Sequence, residues 1–110
     1  MKYTFKIHSV PYAKIKNGEK IIESRLFDEK RKLLKVGDTI EFMNLHSGES
    51  IVVIITNLEK RKSFSELVDM NSPKDFGWAA KKEVLAELGK FYSPEDEKKF
   101  SVLGIKFKKL

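Results

Sequence analysis

The sequence predicts an α+β domain: a small, mostly antiparallel sheet, curled or closed into a barrel, with helices packed at its side or mouth. Three observations lead there. The hydrophobic pattern alternates between strand-like and helix-like periods in the order β-α-β-β-β-α-α-β. Most connections are short and lack the helical crossovers that parallel strands require. The chain of 110 residues carries no repeat, low-complexity tract or linker, so residues 1–110 form a single domain.

Each element has its own signal. Residues 3–8, YTFKIH, alternate apolar and polar and read as a strand. Ser9 is placed to cap a short helix, with Val10 and Pro11 at its start and Tyr12 and Ile15 on its apolar side. Asn17-Gly18 ends it, because both residues tolerate left-handed backbone. A strand follows from Lys20 to Leu26, then a turn or short helical loop over Asp28–Lys35 and a second turn at Val36-Gly37-Asp38. Thr39–Leu45 is rich in β-formers, and His46-Ser47-Gly48-Glu49 is a hairpin connection. Ser50–Leu58 contains IVVIIT, a continuous apolar run expected of a central strand buried on both faces. Ser63-Phe64-Ser65-Glu66 fits a capping box that opens a helix with Phe64, Leu67 and Val68 inward. Asn71-Ser72-Pro73 breaks it. A further helix is expected from Trp78 to Leu88, stopped by Gly89, then a turn or short helix from Ser93-Pro94 and a closing strand from Phe100 to Lys108.

Composition narrows the function. Without cysteine there is neither a disulfide nor a thiolate metal site, and two histidines exclude a His-rich one, so no metal or cofactor is expected. No apolar run approaches the roughly 20 residues of a membrane span, and the N-terminus lacks the apolar core of a signal peptide. A cytoplasmic protein without a membrane partner is expected. The net charge of +6 and pI near 9.5 are compatible with a polyanionic partner such as RNA.

The densest chemistry lies in GEKIIESRLFDEKRKLLKVGD, residues 18–38. On a strand, Glu23 and Arg25 share one face and Ile22, Ser24 and Leu26 the other. Ile22 and Leu26 are expected to face the core, which turns Glu23 and Arg25 to the opposite side, with Lys20 at the strand's start. Either these three form an ion-pair ladder on a solvated sheet, or they floor a cleft. In a cleft, a carboxylate accepts from exocyclic amines while Arg donates in a fork to carbonyl or phosphate oxygens. Lys30 and Arg31, with Lys32 and Lys35, form a basic loop suited either to phosphate contacts or to solvation. Lys60-Arg61-Lys62 reads as a solvated strand end. Phe76 and Trp78 flank Gly77, where Trp78 either stacks on a base or anchors the following helix. His8 is either a cleft-side polar group or a surface residue, and His46 is expected in solvent.

Gly18-Glu19-Lys20-Ile21-Ile22-Glu23-Ser24-Arg25-Leu26, Asp28-Glu29-Lys30-Arg31 and Lys35-Val36-Gly37-Asp38-Thr39-Ile40-Glu41-Phe42 together resemble the ASCH domain family. Pro11–Ile15 is similar to its first helix and Gly104-Ile105-Lys106-Phe107 to its last strand, so the resemblance covers nearly the whole chain. It implies a PUA-like β-barrel that binds RNA, nucleotides or modified nucleosides in a cleft between barrel and helices. Members include ribonucleases, and one branch hydrolyses the acetyl amide of N-acetylated cytidine nucleosides. There the resemblance implies a catalytic set of Lys20, Glu23 (at a position that branch fills with Thr) and Asp75, the carboxylate nearest the third position. The binding set it implies is Lys20, Glu23, Arg25, Lys30, Arg31 and Trp78.

Overall fold

The computed structural model describes all residues, 1–110. Five strands form one sheet: β1 (Lys2–Ile7), β2 (Ile22–Leu26), β3 (Thr39–Asn44), β4 (Ser50–Arg61) and β5 (Val102–Lys109). Their spatial order is β1-β3-β4-β5-β2. Four α-helices accompany them: α1 (Ser9–Lys16), α2 (Phe64–Asp69), α3 (Lys81–Leu88) and α4 (Pro94–Phe100). Short 3-10 turns lie at Arg31–Leu33 and Pro73–Asp75. None of the helices is long and apolar enough to cross a membrane.

The α+β class and the mostly antiparallel sheet hold, with one parallel exception. The β2–β5, β3–β4 and β4–β5 pairs are antiparallel, whereas β1 and β3 run parallel. The chain leaves β1 through α1, forms β2 at the far edge, and returns to lay β3 beside β1 in the same direction. The sheet curls until its edges approach each other. The Arg25 guanidinium of β2 lies 4.7 Å from the ring of Phe5 on β1, although these strands stand at opposite ends of the order. A register shift between Ile55 and Asn57 lets the 12-residue β4 bend, as a bulge does. The result is a half-barrel whose seam lies between β1 and β2.

The inner face of this sheet is apolar throughout, and the outer face is apolar over β2 and β5. The inner face packs Phe5, Ile40, Phe42, Val53, Ile55, Ile105 and Phe107 with Tyr12 and Ile15 of α1. The outer face packs Ile22 and Val102 against Phe64, Leu67 and Val68 of α2 and Val84 of α3. Gly104 on β5 is where α2 comes closest, since a Cβ there would sit 2.7 Å from Leu67 Cδ1.

Several boundaries differ from expectation for identifiable reasons. Ser9 is the first helical residue, not the cap; His8 holds the cap position, and the Ser9 hydroxyl donates to Asn44 Oδ1 at 3.1 Å. β1 ends at Ile7, β2 begins at Ile22, and β4 continues to Arg61 because β5 pairs with it that far. Ser63 caps α2 by accepting from Glu66 N at 3.1 Å, but the reciprocal bond from Ser63 N to Glu66 is not made; the next N–H, of Phe64, donates to Glu97 Oε1 of α4 at 2.8 Å. α3 starts at Lys81 because Ala80 is extended. Ser93 and Asp96 cap each other at α4, whose closing residue leaves β5 to begin at Val102.

The tight approach at Gly104 is testable. Gly104→Ala should destabilise the protein by about 1–3 kcal/mol in urea unfolding. Combined with Leu67→Ala, its cost should fall well below the sum of the single losses, because the shortened side chain vacates the contested space. A neutral Gly104→Ala would contradict this packing.

Candidate functional site

A cavity of about 310 Å³ opens at the seam of the half-barrel. One wall is the end of β1 and α1, the floor is β2 and the residues before it, and the far wall comes from Phe76, Trp78 and Tyr92, with the exposed Phe91 at its edge. Four cationic residues line it (Lys6, Lys14, Lys20 and Arg25), against two acidic ones, Glu23 and Glu87.

Glu23 stands at its centre. Strand register sets its direction: Glu23 pairs with Ile105 and Arg25 with Leu103, both inner-face residues, whereas Ser24 pairs with Gly104 under α2. Glu23 and Arg25 therefore point to the inside of the half-barrel. Ile22 and Leu26 pack under the helices. Alternation separates the two sets as expected. What differs is that the side opposite Ile22 and Leu26 is also core, and Glu23 is only 6% exposed.

Two cations satisfy this buried carboxylate. Lys20 Nζ donates to Oε1 at 2.9 Å, and Arg25 donates to Oε2 through Nη2 at 2.9 Å and Nε at 3.1 Å. Burial alone would raise the Glu23 pKa, but Lys20 and Arg25 outweigh it and bring it down to about 2. Burial likewise opposes the Arg25 charge, and Glu23 reverses that, raising its pKa. The Tyr92 phenol is pushed up, chiefly by burial, with Arg25 partly offsetting the effect.

Lys20 is held by backbone as well. Its N–H donates to Lys14 O at 3.0 Å, it forms a β-bridge with Phe76, and Ile21 N donates to Asp75 O at 2.9 Å. Lys14 crosses the cleft from α1, donating from Nζ to Gly77 O at 2.7 Å with the ammonium 3.5 Å above the Trp78 ring. Gly77 has φ +91°, and a Cβ there would press on Lys14 Cδ at 3.1 Å and Lys20 Cβ at 3.3 Å. Only glycine suits both the backbone and the space.

Of the residues singled out from sequence, Lys20, Glu23, Arg25 and Trp78 converge on the cleft. Trp78 both lines it and packs on the outer core, and Lys14 occupies one of its faces. Lys30 is exposed and does not line the cavity. Arg31 pairs with Asp28 at 3.0 Å and lies 5.4 Å from the Phe5 ring, outside the lining. Asp75 is also outside: its carboxylate accepts from Ser72 N at 3.4 Å, across its own 3-10 turn. Arg61 pairs with Glu59 at 2.7 Å. His8 lines the cavity at its rim. Lys14, Phe91 and Tyr92 were not singled out. Lys14 carries a weak signal, since it lies on the first helix beside the apolar Ile15; Phe91 and Tyr92 carry none beyond being adjacent aromatics.

The fold and the site together define a small half-barrel module with a basic, aromatic-walled cleft at its seam. The chain belongs to the ASCH domain family, whose model matches residues 5–110. Among solved structures, it is 30% identical to the hypothetical protein PH0355, with a TM-score of 0.88 and 100% of both chains covered. It is 29% identical to protein PF0455 from Pyrococcus furiosus, with a TM-score of 0.78, covering 100% of this chain and 98% of that one. The fold, at 8% identity and a TM-score of 0.68, is also that of a point mutant of ZmASCH from Zymomonas mobilis, over 98% of this chain and 70% of that one. A search of curated proteins gives no match.

The pKa of Glu23 fixes how stability depends on acid. Its folded value lies below its ordinary one of 4.5, so the ion triad stabilises the fold fully above that pH and progressively less as pH falls toward 2. Glu23→Gln should cost about 2–4 kcal/mol at pH 7, since it removes the counter-charge of two partly buried cations and turns an amide donor toward one of them. The gap to wild type should close between pH 4.5 and 2 in denaturant titrations. A gap that stays constant over this range would show that the carboxylate is not held by its charge.

Proposed function

We propose that this protein binds RNA or a nucleotide-like ligand in the seam cleft. The observation that carries the proposal is the convergence of Lys14, Lys20 and Arg25 with Trp78 and Tyr92 around one concave cavity. Cations suit a phosphate or a carbonyl-rich base edge, and an aromatic wall suits a planar ring. A cavity of about 310 Å³ is at the lower end of the range for small-ligand pockets and accommodates one nucleoside-sized group. Family membership points the same way, since the resemblance that first suggested a nucleic-acid role extends over the matched residues 5–110.

The geometry favours binding over hydrolysis of a modified nucleoside or of RNA. Both oxygens of Glu23 are engaged by cations, and a carboxylate with a pKa of about 2 is a weak general base near neutrality. The Lys20 ammonium donates to that carboxylate, which makes it an electrostatic group in this arrangement. Asp75 turns away from the cleft to cap its own turn.

Equilibrium binding of short single-stranded RNA tests the proposal. Lys14→Ala should weaken binding ~10-fold, the loss of about one charge-assisted hydrogen bond to the bound group. Lys62→Ala, on an exposed residue outside the cleft, should change affinity less than about twofold. Equal losses in the two variants would mean that binding, if present, is diffuse and does not use the cleft.

A further inference from the structure

Apolar side chains that the fold leaves exposed gather at the cleft mouth. Val10, Leu45 and Phe91 are among its most exposed large hydrophobic residues, and all three border the cavity. Phe91 is 55% exposed. It stacks on His8 with ring centroids 6.0 Å apart and planes inclined by 26°. His46 lies beyond, 5.8 Å from His8. Nothing inside the domain uses the open surface of Phe91. The aromatic ring deeper in the cleft, Trp78, is by contrast already covered on one face by the Lys14 ammonium.

Size and charge identify an occupant for this rim. The cavity holds one nucleoside-sized group, and the Phe91–His8 pair lies at its edge rather than inside. Lys6, at the end of β1 and two residues before His8, adds a cation on the rim side; Lys14, Lys20 and Arg25 are the cations of the interior. A chain with a planar group in the cavity, a second planar group on the rim and an anion between them matches this layout.

We infer that Phe91, backed by His8, is a stacking platform for a second base, so that the ligand is a single-stranded nucleic-acid segment of at least two nucleotides. This rests on the nucleotide-binding reading of the cleft and adds a length requirement to it. The base in the cavity meets Lys14, Lys20 and Arg25, the next base lies on Phe91, and the phosphate between them faces Lys6.

Calorimetric titration with uridine and adenosine 5′-monophosphates, the dinucleotides UpU and ApA, and the octamers U8 and A8 tests the inference. At least one dinucleotide should bind ~10-fold tighter than its mononucleotide, the gain expected from one stacked base. Phe91→Ala should remove that gain while leaving the mononucleotide within about twofold, and Phe91→Tyr should keep it. If mononucleotides bind and neither longer ligand gains, the inference fails and the proposed function stands. If none of these ligands binds, both fail. If wild-type protein self-associates in sedimentation and Phe91→Ala abolishes it, the rim belongs to a second copy of the chain and the inference is overturned.

Discussion

A single carboxylate organises the centre of this protein. Glu23 points into the half-barrel beside Ile105, where an unpaired charge would be prohibitively costly. It is tolerated because Lys20 and Arg25 reach both of its oxygens. Those two residues in turn need fixed positions. Arg25 has one through the β2–β5 register, and Lys20 has one through its bonds to Lys14 O and its bridge to Phe76. The end of α1, the edge strand β2 and the segment 73–78 are thereby tied together at one point. Buried ion pairs of this kind seldom add stability over an apolar core. Here the three residues all line the floor of the cleft.

The cleft exists because the sheet curls without closing. β1 and β2 are its edges, and they approach at the Phe5–Arg25 contact without hydrogen-bonding to each other. Helix α1 bridges one end of that seam through Tyr12 and Ile15, which pack into the inner core. Its polar side is then left facing the opening, where Lys14 spans to Gly77. The opposite wall is built by the helices that cover the outer face, since Phe91 and Tyr92 follow α3 directly and Tyr92 packs on Phe64 at 5.4 Å. One open seam thus brings together residues from the first and last thirds of the chain.

Much of the fold was legible from pattern alone. IVVIIT marked a strand, although only its inner face is core: Val53 and Ile55 are buried, while Val52 and Ile54 are half-buried and join neither cluster. Asn17-Gly18 marked the end of α1. The alternation in Ile22–Leu26 correctly separated Glu23 and Arg25 from Ile22 and Leu26. It did not reveal that both sides are core, because period two gives opposite faces without saying what covers them. The parallel β1–β3 pair was hidden because it depends on β2 joining the far edge, a long-range choice without a local signature. The site was half visible. Lys20, Glu23 and Arg25 fall within a few residues of one another, whereas Lys14 meets Gly77 across 63 positions, and Phe91 meets His8 only after the whole sheet has formed. Lys30 and Arg31 looked equivalent to the cleft cations in sequence. A 3-10 turn and the Asp28 pair direct Arg31 elsewhere, and Lys30 remains in solvent.

The most direct test of the seam as the ligand site is a backbone and indole amide map of the ¹⁵N-labelled protein titrated with a short single-stranded RNA. A ligand in the cleft shifts the amides of Lys20, Ser24, Arg25 and Gly77 and the Trp78 indole N–H together, with one common dissociation constant. Shifts confined to the basic strand ends, at Lys60–Lys62 or Lys106–Lys109, with the cleft residues unmoved, would contradict it.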